Sequence, residues 1–233
     1  MSRGARARQG QETVDISDRG WYQSPSGQRV TIEVEMQACL AGTTLHRPEE
    51  LSRLVKAPAP PTEVQATSYA VTNETTLSAA HRLVVFEGKS HVLALNFASA
   101  KNPGGGFLGG SQAQEESLAR SSGLYRSLLT LPSYYEANRA HANALYTDHM
   151  IVSPGVPVFR GDDGELLETT YCLSIITSPA VNAGAVQTNS PQLVSQILPT
   201  MRVRTEKLLA LAAHLGYEHL LLGACDRRQG GLL

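Results

Sequence analysis

From Asn102 to Gly110 the chain reads Asn-Pro-Gly-Gly-Gly-Phe-Leu-Gly-Gly, and five of these nine residues are glycine. Such a stretch has no place inside a helix or strand, because glycine loses more backbone freedom on folding than any other residue. It is read as a loop between two recognisable elements. Upstream, Val92 to Phe97 is an apolar run of the buried-strand kind. Downstream, Ser111 and Gln114 have the Ser-x-x-Gln spacing of a capping box, and Leu118, Ala119, Ser122, Tyr125 and Leu129 continue with helical period. The order strand, glycine loop, helix N-terminus presents unpaired N–H groups and a positive dipole end, which favours an anion.

Gln114-Glu115-Glu116 follows at the head of that helix. The residues alone leave two readings open. In one, the glycines form a plain turn, Glu115 and Glu116 complement the helix dipole, and Glu116 pairs with Arg120 at i,i+4. In the other, the loop grips a phosphate or sugar and the carboxyls carry out proton chemistry on it. Neighbouring helical positions differ by about 100° around the axis. Glu115 shares its face with Leu118 and Ala119 and is expected to point inward, while Glu116 leans towards Arg120. The two are therefore not a pair facing each other across a sugar, so one of them would serve as both acid and base.

The rest of the 233-residue chain reads as alternating strands and helices, an α/β domain with helices on both faces of a mixed sheet. A first helix is expected over residues 2–18, with Arg3, Arg6 and Arg8 on its frayed, exposed side. Pro25 to Gly27 is a turn, and Val30 to Val34 alternates like a strand. Pro48 to Val55 is a short helix, followed by a stiff connector at Ala57 to Pro61. Strands are expected at Val64–Val71, Leu83–Phe86, Met150–Val152, Tyr171–Thr177 and Leu220–Leu222. Helices are expected from Thr76 to Arg82, Tyr134 to Ala144, and along the register Ile197, Met201, Thr205, Leu208, Ala212 and Leu215. Tyr134, Tyr135 and Arg139 read as packing and surface cover. Asp162 and Asp163 belong to a hairpin turn.

Charge narrows the partners. With 20 basic and 21 acidic residues, no basic face is available for nucleic acid or an anionic membrane. Cys39, Cys172 and Cys225 are widely spaced, which suits a reducing cytoplasm and not a disulfide framework. There is no membrane-length apolar run. His214 and His219 are separated by Gly216 and do not share a helix face, so no protein-held metal and no cofactor are expected.

Triple glycine, seven residues, then Gln-Glu-Glu resembles the signature of the poly(ADP-ribose) glycohydrolase family in its compact bacterial branch. Other segments extend the likeness: Tyr69 to Leu77 with Ala79 to Leu83, Ser153 to Arg160, Ile176 to Gly184, and the turn from Tyr22 to Gly27. The resemblance implies a macrodomain-like three-layer domain spanning 1–233, with 1–60 as an N-terminal helix and strand extension. It implies hydrolysis of ribose–ribose O-glycosidic bonds in poly(ADP-ribose), with ADP-ribose released from chain ends and ADP-ribosylated proteins as partners. It also implies a cytoplasmic monomer with a place in the DNA damage response.

Carried onto this chain, the family's motif makes Glu116 the catalytic acid and Glu115 the residue that holds ribose hydroxyls, with Gln114 positioning the substrate. Gly104, Gly105 and Gly106 would approach the diphosphate and ribose through their N–H groups. Asn102 and Ser99 are candidates for a ribose hydroxyl. Phe107 either packs beneath the loop or lines the site. One departure stands out: after Leu220 to Ala224 the family's second phosphate loop, of the kind Gly-Cys-Gly-x-Phe, is replaced by Cys225 to Leu233. A missing loop and helix there favour the alternative of an ADP-ribose-binding module with little or no catalysis. A hydrolase acting on single ADP-ribose groups is a further alternative, and a purely structural role another.

Overall fold

The computed structural model describes residues 1–57 and 66–223. The helices are α1 (Arg3–Arg19), α2 (Glu33–Gly42), α3 (Pro48–Lys56), α4 (Thr76–His81), α5 (Gln114–Ser121), α6 (Leu124–Leu129), α7 (Pro132–Ala140), α8 (Ala183–Asn189) and α9 (Ile197–His214). The strands are β1 (Trp21–Gln23), β2 (Arg29–Thr31), β3 (Thr44–His46), β4 (Val92–Ala98), β5 (Met150–Arg160), β6 (Leu166–Pro179) and β7 (His219–Leu221). β1 and β2 form a small antiparallel ribbon, and the other strands make one mixed sheet in the order β3-β5-β6-β4-β7. β3, β5 and β6 are antiparallel neighbours, whereas β6, β4 and β7 run parallel.

β4 sits inside this sheet, and its alternation sets the layers. Val92 and Ala94 pack with Leu118 of α5, Leu128 of α6 and Tyr134 of α7. Leu93 and Leu95 face the other way, onto Leu51 of α3 and Leu208 and Leu211 of α9. Asn96 follows the parity of Val92 and Ala94, so it is delivered to the α5 side. The sheet flanked by helices expected from the sequence is therefore the observed architecture.

Several local expectations are corrected. The strand expected at Val30 to Val34 stops at Thr31, and α2 begins at Glu33 with Glu33 and Glu35 in its first turn, where acids favour a helix. Residues 66–71 form no strand: Tyr69 is 90% and Val71 100% exposed, with no partner edge. Leu83 to Phe86 is a π-helical turn that extends α4, not a strand. Arg82 reaches both Glu74 and Glu87 and holds that turn compact. The helix read from Ser111 to Leu129 breaks at Ser122, which bridges to Val158 of β5. α1 is capped, not frayed, since Ser2 Oγ accepts from Ala5 N and Gly20 ends the helix at φ 76°. The connector after Ala57, part of the strand expected at Val64–Val71, and the altered segment at Cys225 to Leu233 lie outside the described residues.

α9 is fixed by a buried ionic group. Arg204 is 2% exposed; it donates to Asp148 at 2.9 Å, to Pro179 O at 2.8 Å and to Leu145 O at 2.9 Å. Lys207 Nζ reaches the same aspartate at 2.6 Å. Removing Arg204 takes the donor from Pro179 O and Leu145 O and leaves Asp148 with Lys207 alone. Arg204→Met should therefore lower the unfolding free energy by about 3 kcal/mol in urea denaturation. A loss below about 0.5 kcal/mol would show that the group does not hold α9 in place.

Candidate active site

The glycine loop leaves the C-terminal end of β4 and returns to α5. Gly104 and Gly105 have φ of 65° and 59°, a left-handed backbone open to glycine at little cost. Side chains distant in sequence hold the loop by its carbonyls. Arg139 of α7 donates to Lys101 O at 2.6 Å. Arg3 and Arg6 of α1 donate to Gly109 O at 2.9 Å and to Gly110 O at 2.8 Å. A Cβ on Gly110 would stand 2.1 Å from Arg3 O, so the first helix is pressed onto the loop. Arg3 and Arg6 are thus part of the site's frame and not the outer side of a frayed helix.

Glu115 points inward and is 3% exposed. Its Oε2 accepts from Ser99 N at 2.7 Å, and its Oε1 lies 3.5 Å from Asn96 Nδ2. The Asn96 amide also donates to Thr177 Oγ1 at 3.1 Å, its neighbour across β4 and β6. Burial pushes the Glu115 carboxyl up to about 8, assisted by the charge of Glu116 and opposed by the Ser99 N–H and the Asn96 amide. Burial therefore favours the neutral form of this carboxyl over the charged one. Glu116 is only partly buried, and its Oε1 accepts from Gly106 N at 3.0 Å.

Both carboxyls converge beneath Gly105. A Cβ there would lie 2.5 Å from Glu116 Oε1 and 3.1 Å from Glu115 Oε2. The expected Glu116–Arg120 ion pair is not formed; Arg120 is buried and donates to Ser111 O. Adjacent carboxyls in such different surroundings, one sealed and one reachable, are equipped for proton transfer to a group placed over Gly105.

The other expected contacts differ. Gly105 N donates to Asn102 O at 3.1 Å and Gly106 N to Glu116, so neither N–H is free for a phosphate in this arrangement. Gln114 is tied to β4: its Oε1 accepts from Phe97 N and its Nε2 donates to Leu95 O, beyond Ala94 where β7 stops pairing. That commitment also displaces the capping box, for Ala113 and not Ser111 precedes the helix. Phe107 is 1% exposed and packs at a tilt against Tyr125, ring centroids 4.8 Å apart, so it supports the loop from beneath. Ser99 Oγ accepts from Lys101 N and Asn102 N, building the loop's entry. The Asn102 side chain is exposed and makes no hydrogen bond among the described residues.

Sequence reading missed Asn96, Thr177 and the three loop-holding arginines. Asn96 left a signal, a lone amide in an apolar strand, whereas the arginines left none. A mostly apolar cavity of about 430 Å³ lies on the opposite face of β4, lined by Leu95, Phe97, Met201, Leu208 and Leu222 among others. Arg202 and Glu206 of α9 also line it, but neither Glu115 nor Glu116 does. Among the described residues, no group of three His, Cys, Asp or Glu side chains is placed to hold a metal. No described helix is long and apolar enough to cross a membrane.

Residues 10–161 match the family model for the microbial-type PARG (poly(ADP-ribose) glycohydrolase) catalytic domain. The fold is similar to poly(ADP-ribose) glycohydrolase from Thermomonospora curvata, with 46% identity over 95% of this chain and 80% of that one and a TM-score of 0.89. The same enzyme bound to the inhibitor ADP-HPD gives 46% identity, coverage of 95% and 79%, and a TM-score of 0.86. The Deinococcus radiodurans enzyme in complex with ADP-ribose gives 50% identity, coverage of 81% and 75%, and a TM-score of 0.76. Comparison with curated proteins gives no match.

The Glu115 carboxyl has a testable linkage. Its folded pKa lies above the ordinary 4.5, so the folded state binds an extra proton through that window. The resulting stability is present below the ordinary value and lost as pH rises to about 8. Glu115→Gln lacks this titration. Its stability relative to wild type, from urea melts, should rise steadily between about pH 5 and about pH 8. A constant difference would mean that Glu115 titrates normally.

Proposed function

The chain belongs to the microbial-type poly(ADP-ribose) glycohydrolase family, a family of glycosidases, and from that premise we propose that it cleaves ribose–ribose O-glycosidic bonds of poly(ADP-ribose) from chain ends, releasing ADP-ribose. The observation that carries this reading is the convergence of Glu115 and Glu116 beneath a glycine with no side chain. A sugar ring needs that open space, and bond cleavage needs an acid beside it.

The two carboxyls divide the work by accessibility. Glu115 Oε2 borders the space over Gly105, where a Cβ would lie 3.1 Å from it, which suits a contact to a ribose hydroxyl placed there. The neutral form of Glu115 also limits repulsion with Glu116. Glu116 is the reachable group and, in its carboxylic acid form, gives its proton to the leaving 2′-oxygen as an oxocarbenium-like centre develops, becoming a carboxylate. It then takes a proton from the attacking water, so one residue serves both steps. Substrate must draw Glu116 away from Gly106 N, which frees that N–H as a donor to the sugar. Asn102, exposed at the loop's entry, contacts a ribose hydroxyl, and Gly104 shapes the turn beneath. The polymer is presented by ADP-ribosylated proteins, and the chain works as a monomer. Three cysteines without paired spacing suit the cytoplasm.

Release of free ADP-ribose from poly(ADP-ribose) tests the roles. Glu116→Gln should slow release at least about a hundredfold while ADP-ribose still binds. Near-normal turnover in that variant would remove Glu116 from the mechanism, and binding without release by the wild-type chain would favour a binding module. Gly105→Val, whose side chain must collide with Glu116, should weaken ADP-ribose binding by about tenfold or more. Unchanged affinity would place the ligand elsewhere.

A further inference from the structure

Three arginines among the described residues are almost wholly buried: Arg120, Arg160 and Arg204. A buried guanidinium is costly unless an opposite charge accompanies it. Arg160 has Glu12 at 2.8 Å and Arg204 has Asp148 at 2.9 Å. Arg120 has no described carboxylate at ion-pair distance. Its Nη1 donates to Ser111 O at 2.6 Å, which leaves most of its five N–H donors uncommitted. Burial and the like charge of Arg6 both pull its pKa below the ordinary guanidinium value.

Arg120 and Arg6 line one polar cavity of about 190 Å³ between α1, α5 and the hairpin turn of β5 and β6, with Gln112 and Ser117 in its wall. Arg160 lies in the same wall, and its Nε is a buried donor with no acceptor among the described residues. The two acids of the hairpin turn also line the cavity, each with local hydrogen bonds of its own. Asp162 accepts from the hydroxyls of Thr75 and Ser78, and Asp163 from Glu165 N. We propose that this cavity binds a single phosphate-type anion, with Arg120 as its main partner and Arg6 as the second. The space is below the roughly 300 Å³ at which pockets for drug-sized ligands begin, so a phosphate group fits and a whole nucleotide does not.

The anion has two sources, a phosphate of polymer engaged at Glu116 or free phosphate. Glu116 stands one helical turn before Arg120, close enough for its charge to be felt there. The polymer source rests on the function proposed above; the cavity itself does not.

The test is titration of the full chain with inorganic phosphate, against sodium chloride at equal ionic strength, followed by NMR of arginine side-chain N–H groups. The Arg120 signal should shift saturably with phosphate only. Arg120→Gln should lose the response but also removes the Ser111 bond, so Gln112→Glu is the decisive variant. It adds a carboxylate to the wall without changing shape and should weaken phosphate about tenfold or more. No saturable shift, or an equal shift in Gln112→Glu, would overturn the proposal. A severalfold higher KM for poly(ADP-ribose) in Gln112→Glu assigns the site to a polymer phosphate. Lost phosphate response with unchanged KM assigns it to free phosphate. Failure of the catalytic reading would appear separately, as wild-type protein that releases no ADP-ribose while the phosphate titration is unaffected.

Discussion

The burial of one carboxyl organises this end of the molecule. Glu115 sits 3% exposed between a strand and a loop, and its neighbours are arranged to keep it there. Ser99 N and the Asn96 amide meet its oxygens, and Thr177 holds the Asn96 amide from the next strand. Gln114, one residue earlier, ties the helix to β4 where β7 no longer pairs. Strand, loop and helix are thus locked as one unit. Desolvation pushes the carboxyl towards its neutral form, and no cation pairs with it among the described residues.

That lock explains why the loop is rich in glycine. It must pass directly over two carboxyls, and at Gly105 any side chain would collide with them. The loop is then fixed at its ends by arginines from α1 and α7. The chain belongs to the microbial-type poly(ADP-ribose) glycohydrolase family, and its two adjacent carboxyls meet the loop at a glycine, where no side chain fills the space.

Local features of this design were legible in the sequence, and distant ones were not. The β4 strand, the loop and the acidic first turn of α5 could be read because each is encoded by adjacent residues. So could the inward direction of Glu115, from the face it shares with Leu118 and Ala119. The capping box at Ser111 was misread because the Gln114 side chain is drawn to β4 instead of back along its own helix. Phe107 could not be placed above or below the loop until Tyr125 was seen against it. The roles of Arg3 and Arg6 depend on contacts to Gly109 and Gly110, more than a hundred positions away. Leu83 to Phe86 has strand composition, yet it continues α4 as a π-helical turn with Arg82 paired to Glu74 and Glu87.

The most direct measurement is a ¹³C NMR titration of the glutamate side-chain carboxyl carbons, with Glu115→Gln used for assignment. The account predicts that the Glu115 carboxyl titrates at about 8. Titration of Glu115 near the ordinary 4.5 would contradict it, because the loop would then surround a charged carboxylate and the division of labour between the two acids would fail.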